Sequence, residues 1–403
     1  MADVFDAVVI GGGPAGSTTA LLLARAGWSV AIVERAMFPR RKVCGEFLSA
    51  ANLPLLRHLG VADDFLDLAG PEVKRVAVFA RDRRIVADMP RLRGEKHGWG
   101  RALGREHLDT LLLERAARAG AVIFQPWTVS RVQKDPAHVR RAGSSGPAQN
   151  PACVQLVCGT TRREMELSAR VLVDAHGSWD PADRRRPHAA DLFGFKAHLR
   201  ESALTPGLMP LLAFPGGYGG MVHSDHGRVS LSCCVRRDTL EQSRRLAPSL
   251  SAGEAVMAHI LATCSAARPA LRGAVVESGW RSAGPIQPGL RATHRNGVFL
   301  VGNAAGEAHP VVAEGISMAM QAGMSLANAL LSTEDLRQAR DAYAADWRRL
   351  FAWRIRTAAV IAHWAMRPAA VAVTLPLLGA FPRMLTEGAR TSGKVAAICS
   401  PSF

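Results

Sequence analysis

The first 34 residues constrain the fold of this chain more than any other part of its sequence. Residues 8–10 form a continuous apolar run, which is typical of a strand buried on both faces of a parallel sheet. Gly11, Gly13 and Gly16 follow in the pattern G-x-G-x-x-G. In this pattern the glycines permit a tight turn, a close approach of the backbone to a pyrophosphate, and close packing of a helix on the strand. Residues 14–26 then have helical periodicity, and the first N–H groups of that helix would face the phosphates.

A second apolar run, residues 29–33, ends at Glu34. A carboxylate at this position accepts hydrogen bonds from ribose hydroxyls and repels a 2′-phosphate, so ADP-ribose fits better than its phosphorylated form. Strand, glycines, helix, second strand and acid occur in the order of a dinucleotide-binding unit, and we predict a bound dinucleotide. A glycine-rich turn that opens an ordinary α/β domain is the alternative.

The length and charge of the chain limit the class of protein. A chain of 403 residues exceeds one typical core, which predicts two closely linked domains. The net charge is +16, and arginine supplies almost all of the basic residues. No nucleic-acid-binding motif accompanies this charge, so we expect solvated surface arginines and no nucleic-acid partner. Peripheral contact with an anionic membrane surface, or attraction of a phosphorylated substrate, stays open.

The seven cysteines are an odd number without a C-x-x-C pair. The sequence therefore supports neither a zinc site nor a disulfide framework, and we expect no metal. The chain enters its first predicted strand almost at once, which leaves no room for a cationic and apolar signal sequence. A cytoplasmic location is the resulting expectation.

Several further elements are predicted in the first half of the chain. Residues 72–88 predict two strands, and residues 103–120 predict a helix. Strand patterns follow at 121–133, 153–158 and 163–174. The segment 140–151 between them has turn composition and predicts an exposed hairpin tip.

The second half begins with strand-like sequence, residues 191–235, which predicts the body of a substrate domain. A helical stretch covers about 239–268. The apolar run 298–301 predicts a short buried strand that leads directly into a long helix. Residues 357–381 are apolar and predict a packing cap over the substrate domain, because their longest uncharged part, 368–381, is too short to span a bilayer.

Several motifs occur in the order of a known superfamily. These are Gly11–Glu34, the helix start Arg105-x-x-Leu108-Asp109, VLVDAHGS at 171–178 and VGNAAGEAHPVVAEGI at 301–316. They resemble the FAD-dependent monooxygenases of the aromatic-hydroxylase type. The KVCGE loop at 42–46 and the FPGGYGG turn at 214–220 are similar to the geranylgeranyl-reductase-like and flavin-dependent-halogenase-like branch of that superfamily.

The resemblance implies an α/β fold with a Rossmann-type FAD-binding domain, a second, mainly antiparallel β substrate domain and C-terminal helices. The implied division is 1–71, 101–180 and 275–335 for the FAD-binding domain, 72–100 and 181–274 for the substrate domain, and 336–403 for the C-terminal helical region. FAD is the implied cofactor, and NAD(P)H is the implied electron donor.

The residues expected to bind FAD come from two glycine-bearing segments. FAD is too long for one glycine turn, and residues 301–306 place small side chains at a second predicted helix start, where N–H groups can meet the ribityl phosphate and the flavin. A cation at a helix start is unfavourable, which favours a binding role for Arg105 over a solvated one. The full set is Gly11, Gly13, Pro14, Ala15, Gly16, Glu34, Arg35, Cys44, Arg105, Gly302, Asn303, Gly306, Gly315 and Ile316.

Two positions depart from the pattern of the superfamily. Asn303 stands where an aspartate is usual, and its amide can still hydrogen-bond a ribityl hydroxyl. His176 stands in Ala-His-Gly where Ala-Asp-Gly is usual, which puts the handling of nicotinamide in doubt. A structural role and a catalytic role for His176 are both open.

Three residues are candidates for the chemical step. His309 lies in the loop that faces the flavin in relatives and is the candidate acid or base, with capping of that loop as the alternative. Cys44 follows a basic run, residues 40–42, that favours a reactive thiolate, and an inert thiol is the alternative. Tyr218 lies between two glycine pairs, where strand bending would bring the backbone close to the flavin or the substrate. The weaker candidates are His223 and Trp179.

The resemblance supports three activities on a hydrophobic small molecule. The first is monooxygenation of an aromatic (phenolic or polyketide-type) substrate, in which reduced FAD and oxygen form a C4a-hydroperoxide. The second is reduction of an isoprenoid or other C=C bond, with Cys44 or His309 as proton donor. The third is halogenation, for which the W-x-W-x-I-P signature is absent and Lys196 is the candidate lysine. An electron carrier would need no substrate pocket, and the apolar segments 208–214 and 368–381 argue against it.

Overall fold

Two large β-sheets organise the computed structural model, which describes residues 3–134, 152–178 and 186–394. The first sheet has eight strands and the second has seven. The predicted hairpin tip at 140–151 and the candidate Trp179 lie outside the described residues.

The first sheet carries the predicted dinucleotide-binding unit. Its strands are β1 (Asp3–Ile10), β2 (Val30–Val33), β7 (Val122–Phe124), β8 (Trp127–Lys134), β9 (Ala152–Cys158), β10 (Glu164–Asp174), β17 (His294–Arg295) and β18 (Val298–Leu300). The order is β17-β18-β10-β1-β2-β7, and β9 joins β8 to β10. β1 pairs in parallel with β2 and β10, with Ile10 opposite Val33 and Asp174. The carboxyl ends of these three strands therefore lie side by side, which brings together the glycine turn after β1, the acid after β2 and the segment after β10.

The second sheet is mainly antiparallel, as predicted. Its strands are β4 (Arg75–Ala80), β5 (Arg83–Asp88), β11 (Leu192–Arg200), β12 (Leu208–Phe214), β13 (Gly217–His223), β14 (Val229–Arg236) and β15 (Val275–Ile286). The order is β15-β11-β14-β13-β12-β4-β5, and β4 and β12 pair in parallel. The α/β class with a second, mainly antiparallel sheet is therefore confirmed.

The position of β15 corrects the predicted division of the chain. We assigned residues from 275 onward to the FAD-binding domain, but β15 pairs with β11 of the second sheet along most of its length. Glycine and proline are unfavourable in strands, and Gly279, Gly284 and Pro285 hide the strand pattern of this segment.

The helices surround these sheets. They are α1 (Pro14–Arg25), α2 (Leu53–Leu59), α3 (Ala62–Leu68), α4 (Arg105–Arg118), α5 (Arg237–Leu246), α6 (Ala252–Thr263), α7 (Arg268–Leu271), α8 (Gly315–Leu331), α9 (Leu336–Ala365), α10 (Pro368–Ala380) and α11 (Arg383–Ala389). α1 packs against α4 and α8, and it is buried from Pro14 to Ala24. The predicted helical stretch at 239–268 is divided into α5, α6 and α7, because Ser251 and Glu254 form a capping box that starts a new helix.

The start of α8 differs from the prediction. We expected a helix to begin directly after the strand at 298–301, but a 3₁₀ turn (Gly302–Ala304), the two-residue strand β19 (Gly306–Glu307) and a second 3₁₀ turn (Pro310–Val312) precede α8. Pro310 disfavours helical geometry at the residue before it, and Ala313 adopts a left-handed φ of 52°. A continuous helix across this segment is therefore excluded.

α9 and α10 form the predicted cap. The inner face of α9 carries Tyr343, Trp347 and Phe351, which are buried in the same core as α1 and α8. Further along, Ala362 at the end of α9 and Leu375 on α10 pack against strands of the second sheet. The cap thus spans both halves of the molecule and covers the space between the two sheets.

Candidate active site

A cleft of about 890 Å³ runs between the two sheets and beneath the C-terminal cap. Its lining includes the carboxyl ends of β1, β2 and β10, parts of β12 and β13, and side chains from α8, α9, α10 and α11. Clefts that hold cofactors and small substrates have volumes of about 300–1,000 Å³. The cleft therefore has room for a large ligand at the point where the two halves of the molecule meet.

The glycine turn after β1 forms one end of this cleft. Gly11 adopts a left-handed φ of 105°, and a Cβ atom there would lie 2.6 Å from the carbonyl oxygen of Ala175. A Cβ atom on Gly16 would lie 1.9 Å from the carbonyl oxygen of Gly11, so the turn and the first turn of α1 are in direct backbone contact. Gly13, by contrast, lines the cleft, together with the N-terminus of α1. Gly11 and Gly16 thus serve the tight turn and the close helix packing that the spacing predicts, and Gly13 faces the space of the cleft.

Two guanidinium groups lie at this glycine turn. A Cβ atom on Gly13 would lie 3.8 Å from Nη2 of Arg40 and 4.0 Å from Nη2 of Arg105. Arg105 is held in place by Asp109, whose two carboxylate oxygens accept from its Nε and Nη2 at 2.6 and 2.8 Å. Arg40 forms ion pairs with Glu34 and Asp109 at 3.4 Å each, and within the described part of the chain its buried Nε and Nη1 donate no hydrogen bond. A helix N-terminus with two adjacent guanidinium groups is a site for an anion such as a diphosphate.

Lys42 adds a third cation to this end of the cleft, and it is not among the binding residues that the motifs predict. It lines the cleft, and burial, together with the charges of Arg40 and Arg105, lowers its pKa to about 8. An anion bound beside these three cations would favour the protonated form of Lys42. The basic run at 40–42 was the available sequence signal for Lys42, but it was interpreted as favouring a reactive thiolate at Cys44.

Lys42 makes the binding of an anionic dinucleotide dependent on pH. The ammonium form attracts the anion, and it is lost as the pH rises through about 8, so affinity for FAD is expected to fall above that pH. Lys42→Met is expected to weaken FAD binding about tenfold at pH 7 and to flatten the pH dependence. Titration of the flavin-free protein with FAD between about pH 6 and about pH 10 measures both effects. Lys74→Met, at an exposed lysine outside the cleft, is the matched control and should bind FAD as the unaltered protein does.

Glu34 occupies the position predicted for ribose recognition. It lines the cleft, and its carboxylate accepts from the backbone N–H groups of Gly12 and Ala36 at 2.9 Å each. It also forms an ion pair with Arg40 at 3.4 Å. These contacts fix the carboxylate at the carboxyl end of β2, next to the glycine turn.

The two departures from the superfamily pattern have local partners. Nδ1 of His176 donates to the carboxylate of Asp174 at 2.5 Å, so a carboxylate holds the ring at the cleft wall. Nδ2 of Asn303 donates to Ser178 and to Glu307 at 2.9 and 3.1 Å. Both side chains are therefore tied into networks at the edge of the first sheet.

The second glycine turn lies against the first. Gly302 adopts a left-handed φ of 64°, and a Cβ atom there would lie 2.8 Å from the Cβ atom of Ala15 on α1. Gly315 and Ile316, at the start of α8, also line the cleft. The backbone of both glycine turns thus faces the same space. We call this backbone surface the cradle, and at Gly11 and Gly302 a larger side chain would clash with a neighbour.

Most of the predicted binding residues meet at this cleft. Those that line it are Gly11, Gly13, Pro14, Ala15, Glu34, Arg35, Cys44, Arg105, Gly302, Asn303, Gly315 and Ile316. Gly16 is not in the lining and serves the backbone contact described above. Gly306 is also outside the lining, because it packs against Trp347, whose ring would lie 2.5 Å from a Cβ atom at that position.

Tyr218 and His309 form a pair at the wall formed by the second sheet. Tyr218 lines the cleft, and its hydroxyl lies 3.2 Å from Nδ1 of His309. Burial, together with nearby His363, lowers the pKa of His309 to about 4, so its ring is neutral at neutral pH. Burial also raises the pKa of Tyr218. His309 itself is not part of the cleft lining, so it reaches the cleft through the tyrosine hydroxyl.

Cys44 lines the cleft as a free thiol, on the loop between β2 and β3 (Phe47–Leu48). Its sulfur accepts from the backbone N–H of Glu46 at 3.4 Å, and its carbonyl oxygen accepts from Ser232 of β14 at 2.8 Å. The loop that carries the thiol is therefore attached to the second sheet. His223, the weaker candidate, bonds the carbonyl oxygen of Leu204 at 2.8 Å and does not line the cleft.

A buried charge cluster that the motifs do not predict lies next to this loop. Glu46 lines the cleft with only 1% of its surface exposed, and it accepts hydrogen bonds from Lys196 and from Nε2 of His198, the latter at 2.9 Å. The Lys196 ammonium is thus buried in an ion pair, and it is not in the cleft lining. The position of Lys196 therefore gives no support to its candidate halogenase role. The alternation of Lys196 and His198 along a strand pattern, which places both on one face, was the available signal.

The two sheets and the cleft between them are typical of a dinucleotide-binding protein. Comparison with known proteins indicates that the dinucleotide is FAD. Residues 4–158 match the family described as "FAD binding domain". The donors at the glycine turn and the backbone cradle fit this cofactor, because they supply cations and N–H groups for its diphosphate and room for its length.

Two curated relatives illustrate the sequence similarity. Tryptophan 2-halogenase of Chondromyces crocatus is 36% identical over 129 residues, which are 32% of this chain and 24% of that protein. Menaquinone reductase of Mycobacterium tuberculosis is 28% identical over 402 residues, which are 95% of this chain and 86% of that protein. The chain spans less than two thirds of the length of several other curated relatives.

Two solved structures have the same fold. The myxobacterial chondrochloren halogenase CndH matches with a TM-score of 0.76 at 20% identity, over 96% of this chain and 91% of that chain. PqsL of P. aeruginosa in complex with 2-aminobenzoylacetate matches with a TM-score of 0.70 at 20% identity, over 93% of this chain and 100% of that chain. These two similarities show the fold. The match of residues 4–158 to the FAD binding domain, and the similarity to a tryptophan 2-halogenase and to digeranylgeranylglycerophospholipid reductase 2 of Methanopyrus kandleri (26% identical over 325 residues), bear out the resemblance stated from the motifs.

Proposed function

We propose that the protein is an FAD-dependent monooxygenase that hydroxylates a hydrophobic aromatic substrate, with a reduced nicotinamide as electron donor. One observation carries the proposal. A single cleft connects the cationic glycine turn to an apolar chamber, and the polar pair Tyr218 and His309 lies at the wall of that chamber.

The two ends of the cleft suit the two ligands. Gly13, Arg40 and Arg105 would hold the diphosphate of FAD, and Glu34 would hold its ribose. When bound, FAD supplies the redox chemistry and the reaction with oxygen. The protein contributes binding, orientation and the exclusion of water.

The chamber beyond the flavin position has apolar walls. Met209 and Leu211 of β12 line one side, Ile286 of β15 lies at the edge of the second sheet, and Trp364 and Leu378 of the cap lie above. Such walls favour a ligand with a large apolar surface and remove water from the reacting groups. This part of the cleft supports an aromatic or isoprenoid substrate over a polar one.

Tyr218 and His309 would hold a substrate hydroxyl in place by hydrogen bonds. Because the His309 ring is neutral at neutral pH, its Nδ1 can accept a hydrogen bond from the Tyr218 hydroxyl, and the tyrosine oxygen can then accept one from the substrate hydroxyl. A phenol whose proton is engaged in this way becomes more electron-rich and more easily hydroxylated. The pair is poorly suited to full proton transfer, since burial raises the pKa of Tyr218 and lowers the pKa of His309 to about 4.

Removal of the tyrosine hydroxyl tests this role. Tyr218→Phe is expected to lower kcat about tenfold for a phenolic substrate and to leave FAD binding unchanged, because the ring is kept and the hydrogen bond to the substrate hydroxyl is lost. Steady-state kinetics and flavin absorbance measure the two quantities. Tyr343→Phe is the matched control, since Tyr343 is the other tyrosine of the chain and its hydroxyl donates to the carbonyl oxygen of Leu300, and neither residue is in the cleft lining. Equal kcat values for both variants would contradict the role.

A second candidate is reduction of a carbon–carbon double bond in an isoprenoid. The observation that favours it is the similarity to menaquinone reductase, which covers 95% of this chain and 86% of that protein. Cys44 lines the cleft and would be the proton donor in this reaction.

One experiment separates the candidates. The FAD-loaded protein is first reduced without oxygen by NADH or NADPH. It is then mixed with a hydrophobic phenol or an isoprenoid quinone. Each mixture is tested without oxygen, with ¹⁸O₂, and with ¹⁸O₂ and bromide. Label from ¹⁸O₂ in the product supports hydroxylation, and loss of a double bond without oxygen supports reduction. A carbon–bromine bond in the product would support halogenation and overturn the proposal. Reduction rates with the two nicotinamides identify the electron donor.

A further inference from the structure

The outer face of α10 is apolar and exposed. We define the α10 face as Ala369, Val373, Pro376, Leu377 and Ala380, which recur at helical spacing, together with Phe381 and Met384 directly after them. Val373 is 78% exposed and Phe381 is 59% exposed. No charged residue lies between Arg367 and Arg383. Large apolar side chains that are grouped and exposed in this way mark an interaction surface.

The exposed charges at the two ends of the uncharged segment are positive, and the next acid along the chain, Glu387, is paired with Arg390. Arg367 and Arg383 are exposed at the two ends of the uncharged segment, and Arg356 is exposed on α9 between Trp353 and Val360, which are about 70% exposed. Among the described residues, none of these three arginines forms an ion pair. An apolar helix face with free guanidinium groups at both ends is complementary to apolar chains below a layer of anionic groups.

The α10 face is continuous with the mouth of the cleft. Leu377 and Met384 are half-exposed on this face, and both also line the cleft. Leu378 and Leu385 line the cleft behind them. An apolar molecule could therefore pass from a layer in contact with the α10 face into the chamber without crossing a polar surface.

We propose that the α10 face docks on the surface of an anionic lipid bilayer, with α10 lying in the plane of the interface. No helix in the described ranges is by itself long and apolar enough to cross a membrane, and α9 and α10 meet the length and composition criteria only as a pair bent by 100°. A helix of 13 residues is about 20 Å long, which is short of the ~30 Å hydrocarbon core. The docking does not depend on the reaction, but delivery of an apolar substrate from the bilayer rests on the proposed function.

Binding of the full chain to lipid vesicles tests this inference. Vesicles of phosphatidylglycerol and phosphatidylcholine in equal parts are expected to bind the protein, and vesicles of phosphatidylcholine alone are expected to bind it at least tenfold more weakly at low salt. V373Q/F381Q removes two exposed apolar side chains outside the cleft lining, and it should weaken binding at least tenfold. R367Q/R383Q should weaken it about tenfold and reduce its dependence on salt.

A matched control excludes a general effect of surface apolarity. Leu246 on α5 is also 78% exposed, and L246Q should bind vesicles as the unaltered protein does. The flavin content and melting temperature of each variant report whether it is folded, and neither should change. Absence of vesicle binding, or equal weakening by L246Q, overturns the inference. Self-association without lipid that V373Q/F381Q abolishes would also overturn it, because the α10 face would then be covered by a second copy of the chain.

Discussion

Gly16→Ala is expected to weaken the binding of FAD severely. A Cβ atom at this position would lie 1.9 Å from the carbonyl oxygen of Gly11, and because that atom belongs to the backbone, no side-chain rotation relieves the clash. The turn and α1 must separate, which costs about 3 kcal/mol or more and displaces the N–H groups that face the diphosphate. We expect the affinity for FAD to fall at least about a hundredfold, measured by titration of the flavin-free protein.

Gly12→Ala is the matched control in the same turn. A Cβ atom there would lie 3.2 Å from Cδ1 of Leu113, the end of a flexible side chain, so the turn can keep its conformation. This variant should retain FAD with at most a few-fold loss of affinity. Circular dichroism shows whether the Gly16 variant is still folded. A folded Gly16 variant that binds FAD normally would show that the dinucleotide does not lie at this turn.

Glu46→Gln is expected to lower the free energy of unfolding by about 3 kcal/mol, because it leaves the buried Lys196 without a counter-charge. Glu46 joins the loop that carries Cys44 to β11, so we also expect the flavin absorbance to change as the loop moves. Denaturant unfolding and the visible spectrum measure these effects. Glu114→Gln, at a half-exposed ion pair on α4, should change stability by less than about 0.5 kcal/mol.

The contribution of Glu46 depends on pH with a definite sign. Burial opposes its ionisation, but the hydrogen bond from His198 and the charge of Lys196 lower its pKa below the ordinary value of 4.5. The stabilisation is therefore present above about pH 4.5 and is lost as the pH falls through the lower pKa of the folded state. The unaltered protein should lose more stability than Glu46→Gln on acidification from about pH 5 to about pH 3. A constant difference between the two across this range would contradict the assignment.

The parts of the fold that the sequence predicted correctly depend on local patterns. The strand, glycines, helix and second strand around residues 8–33 combine a continuous apolar run with helical periodicity, and neighbours along the chain determine both. The cap at α9 and α10 was predicted from its apolar composition. The start of α8 was predicted wrongly, because the small residues after Gly302 favour a helix locally while Pro310 and the left-handed Ala313 prevent one.

The parts of the site that were missed depend on contacts between distant segments. Lys42 and Glu46 lie in an irregular loop without periodicity, so nothing local shows which side chains turn inward. The role of Glu46 becomes visible only where β11 brings Lys196 and His198 against it. The position of His309 behind Tyr218, buried and outside the cleft lining, likewise follows from the packing of β13 against the loop before α8.

The contact between Gly302 and Ala15 has a consequence for synthesis of the protein. These residues come from the last and first thirds of the chain, and each leaves no room for a larger neighbour. A ribosome must therefore release most of the polypeptide before the nucleotide cradle can close. Contacts of a dinucleotide with both glycine turns can therefore form only after the segment that contains Gly302 has been translated.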